Sequence, residues 1–187
     1  MGHRLLLGVF FIALFCSPVH AEIHYTFPVQ PSGSASFSRG GHRYPGIDIF
    51  CKKGAVFVSP VSGTVEDAQK EDIWDRNVNG PENKGGRWVS VAGDDGYRYY
   101  GSHLERIADG IYIGKRVKPG DVLGYIGNSG NSKGSPIHLH FGISRVSRPY
   151  SWKVRKGEIE PYFFLQCIRS NKCDPKKTLD GYANKGQ

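Results

Sequence analysis

An apolar run from Leu5 to Cys16 opens the chain, and beyond it no stretch carries a convincing 3.6-residue hydrophobic period. Short β-branched and aromatic runs follow instead, and they predict strands at 46–50, 55–59, 63–69, 87–92, 97–103, 121–126 and 137–143. Turn sequences punctuate them: KKG, SPVSG, GDDG, KPGD and the long GNSGNSKGSP. The polar stretch EDIWDRNVNGPENKGG, 71–86, reads as an extended loop between two strands. The expected fold is all-β, an antiparallel sheet or sandwich whose long loops form a groove, followed by a short irregular or helical C-terminal segment.

The pattern divides the chain into a leader at 1–21, an N-terminal tethered arm at 22–41, one domain at 42–168 and a basic tail at 169–187. A short helix is expected around 159–168, with a mobile end after Lys176. In the leader, a single Arg precedes the apolar run, and Val19-His20-Ala21 places small residues at the offsets signal peptidase requires. This is the pattern of a secretory signal peptide, and the product should be periplasmic or extracellular. Phe15 is too bulky for lipid attachment at Cys16, and no later segment approaches the ~20 apolar residues of a transmembrane anchor.

Export changes how the charge is read. A formal net charge of +8 draws polyanions, but an exported protein meets an anionic wall or envelope surface rather than nucleic acid. Export also permits a disulfide. Of the three cysteines outside the leader, Cys167 and Cys173 in CIRSNKC close a short loop and are expected to pair, leaving Cys51 as a thiol. No cysteine has the spacing of a zinc-cysteine site.

The segment SPIHLHFGIS places His138 and His140 on one face of a strand, since residues i and i+2 point the same way roughly 7 Å apart. GGHRYPGIDIF supplies His42 and Asp48, and YYGSHLERI ends a strand on His103. Neutral imidazoles with a carboxylate suit a mononuclear zinc that keeps an open coordination position. Four histidines and an aspartate exceed what a structural zinc needs, which points to catalysis.

In their order, HRYPGID, the SH at a strand end and GNSGNSKGSPIHLHFGIS closely resemble the lysostaphin-type, or LytM, zinc metallopeptidases that cut peptidoglycan. The likeness runs from His42 to Ser144 and takes in KGAVFVSPVSGTV and VKPGDVLGYIGNSG. It implies that His42, Asp48 and His140 hold one zinc while His103 and His138 are the catalytic histidines, acting on peptide stems and cross-links through metal-activated water. One departure stands out: the family's H-x-x-x-D spacing falls on Tyr44, whereas His42 lies six residues before Asp48, so Pro45-Gly46 must bulge to bring it back. His24 is the other upstream candidate. With no Glu of the H-E-x-x-H kind, histidine must carry the proton traffic.

The expected groove walls are 71–86, 127–136 and 150–156, with Trp74, Trp88 and Trp152 either flanking the groove or packing the core. Two other readings compete. One is a non-catalytic wall-binding or enzyme-activating module of the same fold, which the filled His and Asp positions disfavour. The other is a biotinyl or lipoyl carrier, from VKPGDVLGYIG, which lacks the Met-Lys setting because Met1 is the chain's one methionine.

Overall fold

The computed structural model describes residues 22–78 and 80–184, so the expected leader lies outside the described residues. The chain forms β1 (Val29–Gln30), β2 (Gly46–Phe50), β3 (Val56–Val58), β4 (Gly63–Gln69), β5 (Trp88–Gly93) and β6 (Tyr97–Ser102). There follow β7 (Leu104–Ile107), β8 (Arg116–Val117), β9 (Val122–Ile126) and β10 (His138–Arg145), then α1 (Trp152–Arg155), α2 (Tyr162–Ser170) and α3 (Pro175–Ala183). Two antiparallel sheets result, a four-stranded one ordered β1-β3-β9-β7 and a six-stranded one ordered β2-β10-β6-β5-β4-β8.

The core lies where the sheets face each other. Leu139, Phe141 and Ile143 of β10 point into it with Ile47 and Ile49 of β2, while the alternate residues of β10 look the other way. Close approach is fixed at Gly101, where a Cβ would come within 2.5 Å of the Phe57 ring on the opposite sheet. β10 is buried along both faces because the stretch around α1 lies over its outer side, where a Cβ at Gly142 would meet the Lys156 carbonyl.

The core reaches past 42–168 at both ends. In the segment expected as a tethered arm, Phe27 and Val29 are buried core residues and β1 pairs with β3. A two-residue strand is too short to show alternation, and only its partner reveals it. The C-terminal region also differs from expectation: α3 occupies the stretch expected to be mobile. Pro175 opens it, the Asp174 carboxylate caps the Lys176 and Lys177 amides, and Leu179 and Ala183, four apart, are buried. Cys167 and Cys173 are joined, tying the end of α2 to the approach to α3, and Cys51 is free. Closing so short a ring contributes about 2 kcal/mol.

Leu179→Ala should therefore destabilise the protein by about 2–4 kcal/mol in urea unfolding. A change below about 0.5 kcal/mol would mean that α3 is not part of the core.

Candidate metal centre and cleft

The register of two strand pairs sets the site. His140 lies opposite Asp48 on β2 and opposite Ser102 on β6, so these side chains share the outer face of the six-stranded sheet. Asp48 Oδ1 lies 3.0 Å from His140 Nδ1. The loop before β2, freed by Gly40 and Gly41 at φ 89° and 106°, returns His42 so that its Nε2 is 3.0 Å from the same oxygen. Tyr44, where the usual family spacing would fall, stacks on His42 with ring centroids 5.0 Å apart.

His103 stands at a corner. The strand expected over 97–103 ends here as β6 in the six-stranded sheet, and the chain crosses into β7 of the four-stranded one. The turn puts His103 at φ 67°, a left-handed conformation unfavourable for a side chain with a Cβ. The His103 and His138 rings are 5.0 Å apart. His24, by contrast, lies exposed in a separate hollow beside the disulfide.

Backbone carbonyls fix the imidazoles. His103 Nδ1 is 2.9 Å from Ser129 O, His138 Nδ1 is 2.8 Å from Pro136 O, and His140 Nε2 is 3.1 Å from Lys156 O. A carbonyl only accepts, so each of these nitrogens donates. His103 and His138 in the neutral form then keep a lone pair on Nε2. Burial, together with His140 and His138 nearby, pushes His103 down to about 3, so its ring is neutral at physiological pH.

At His140 both nitrogens face acceptors, which demands a proton at Nδ1 or a cation in its place. Burial acts to raise the Asp48 carboxyl, but hydrogen bonds with His140 and His42 outweigh it and hold the group far below the ordinary carboxylate range. One ligand atom from each of His42, Asp48 and His140 falls within a 4.8 Å set. A divalent ion fits this donor set: it would replace the protons between carboxylate and imidazoles, with Lys156 O fixing His140 from behind, as carbonyls do for metal-bound histidines. The 3.0 Å contacts approach the ~3.4 Å edge of a tetrahedron with ~2.1 Å arms.

The donors open onto a cleft of about 490 Å³ to which all three expected walls contribute, through Glu82 and Lys84, Asn131 and Ser132, and Trp152, Arg155 and Lys156. The walls are tied together. Asp72 accepts from the Gly130 amide at 3.1 Å, and Asn131 N donates to Lys84 O at 2.9 Å. Arg155 Nη2 donates to Glu82 O at 2.6 Å. Trp88 is a packing residue, donating to Asp67 from beneath the Arg155 guanidinium. Sequence reading missed Tyr100 as part of the site, since its place in the cleft depends on how α1 lies over β6.

The profile of Peptidase family M23 matches residues 42–152, a span that holds all five residues. This chain belongs to peptidase family M23. Among similar proteins, the L-Ala–D-Glu endopeptidase of Bacillus subtilis (strain 168) is 29% identical over 182 residues, covering 89% of this chain and 51% of the relative, so the chain spans about half that protein's length. The structure of lysostaphin from Staphylococcus simulans matches with a TM-score of 0.55 at 24% identity, over 75% of this chain and 52% of that one. A zinc containing peptidase from Vibrio cholerae matches with a TM-score of 0.51 at 18% identity, over 69% of this chain and 39% of that one. These two likenesses establish the fold, and the family is one of peptidoglycan endopeptidases.

In this M23 domain the position of His140 depends on Gly157, at φ 129°, where a Cβ would lie 1.7 Å from Pro45 O. Gly157→Ala should force the stretch around Lys156 away from the His42 loop and cost about 2–4 kcal/mol in unfolding free energy. Wild-type stability in this variant would show that the approach is not tight.

Proposed function

We propose that the protein is an exported, zinc-dependent endopeptidase that hydrolyses peptide cross-links or stems of peptidoglycan. The observation that carries this reading is one carboxylate oxygen shared by two imidazoles, with two further imidazoles presenting lone pairs beside it. His42, Asp48 and His140 would hold the ion. A zinc ion held there would supply the Lewis acidity that makes a water nucleophilic at neutral pH.

The rest falls to the chain's own groups. His103 and His138, each with Nδ1–H tied to a carbonyl, offer Nε2 to the cleft. One can take the proton of the attacking water on Nε2 and then give that same proton to the departing amine, while the other accepts a hydrogen bond that orients the water. The tie to Ser129 O keeps the His103 ring oriented with its Nε2 lone pair free. The tethered walls confine an extended peptide over the sheet. The relative from Bacillus subtilis, named for an L-Ala–D-Glu bond, supports a stem-peptide substrate. Export rests on the leader sequence, and among the described residues no helix is long and apolar enough to cross a membrane.

His42→Ala and His140→Ala should purify with substoichiometric zinc while remaining folded. His103→Ala and His138→Ala should keep the metal and lose turnover on purified walls by roughly 10²–10⁴-fold. Metal analysis and muropeptide release check both. Full zinc in both ligand variants would overturn the assignment, and loss of zinc from His138→Ala alone would reverse the HLH roles.

A further inference from the structure

The cleft carries positive charge with no internal partner. Lys84 on one wall and Lys156 on another both line it, and Lys153 stands close to Lys156. Among the described residues none of these three lysines has a carboxylate within 4.0 Å. Glu82, the acid on the Lys84 wall, rests its carboxylate against Gly80. Arg155 is different: its Nη1 lies 4.0 Å from Asp67, its Nη2 is bonded to Glu82 O, and its guanidinium is 4.1 Å over the Trp88 ring, so it is committed to holding the walls.

The ammonium of Lys156 has no such commitment. It stands 4.1 Å over the Tyr44 ring and 4.8 Å over Trp152, and Tyr44 stacks on His42. The lysine is thus poised over the edge of the metal-ligand cluster. Lys84 lines the same cleft from another wall, so an anion placed between the walls would meet both ammonium groups. The nearby cleft anion, Asp48, is already shared by His42 and His140.

We propose that Lys84 and Lys156 form a carboxylate-binding subsite, so that the preferred substrate is a peptide bearing a free carboxylate near the scissile amide and not an uncharged glycine bridge. The inference rests on the metallopeptidase reading and narrows it. A stem peptide can offer such a group from a glutamyl residue, whose second carboxyl is left free by one amide bond, or from a diaminopimelyl residue. Selectivity arises because an amide in place of the carboxylate pairs with neither ammonium group and leaves the half-buried Lys156 without a counter-charge.

The test uses the full chain and four synthetic stem peptides: one with both carboxylates free, one amidated at the glutamyl carboxylate, one at the diaminopimelyl carboxylate, and one at both. Hydrolysis of each is followed, and each is titrated calorimetrically into the chain with chelator present, where no turnover occurs. The doubly free peptide should be preferred over the doubly amidated one by about tenfold or more, in KM and in Kd alike. The singly amidated peptides show which carboxylate is read.

In Lys84→Met/Lys156→Met the preference should shrink to within about twofold with zinc content unchanged, and Lys84→Arg/Lys156→Arg should restore it. Hydrolysis without discrimination, or undiminished discrimination in the Met variant, overturns the subsite. Discrimination in binding that requires the lysines, with no peptide cleaved, leaves the subsite standing and sinks the metallopeptidase reading instead.

Discussion

The pairing of β10 with β2 sets His140 directly across from Asp48, and the chemistry of the cleft depends on that one register. A slip of a single residue would turn Leu139 outward and both histidines into the core, exchanging an apolar face for a polar one. The slip is prevented by the inward set of Leu139, Phe141 and Ile143, all fully buried. Hydrophobic packing on one face of β10 thus determines the placement of donors on the other. Asp48 then draws His42 out of its glycine-flexed loop, and the Lys156 carbonyl holds His140 from the opposite side.

Around this fixed point the fold gathers groups far apart in the chain. The crossing from β6 to β7 lifts His103 into the cleft at the cost of a left-handed backbone. Ser129 receives its ring hydrogen, and the next residue's amide is held by Asp72 from the opposing wall. The rigidity of the imidazoles and the position of the walls therefore share one set of contacts, which supports treating the cleft as preorganised rather than assembled on binding.

The strands that carry the chemistry were legible because they are long enough to alternate: β2 and β4 fall on the expected spans, and β10 starts one residue inside its own. The strands β1, β7 and β8 were not, being two to four residues long and defined by their partners. Residues 22–41 and 169–184 looked peripheral because their buried positions are few, and only the shared core shows that Val29 and Leu179 belong to it. At the site, HLH and HRYPGID carried the histidines and the aspartate openly. The left-handed corner at His103 could not be foreseen, since no glycine marks it. Nor could the facing of Lys84 and Lys156, about seventy residues apart, be read from local pattern; the charge count showed only that cations were in excess.

Anomalous diffraction at the zinc absorption edge, from crystals of the full chain grown with stoichiometric zinc, would locate the ion among the side chains of the cleft. One strong peak is expected about 2.0–2.2 Å from His42 Nε2, Asp48 Oδ1 and His140 Nδ1, with His103 and His138 beside it but not among its three protein ligands. A peak held by His103 and His138, or no peak at Asp48 despite bound zinc, would contradict the ligand assignment.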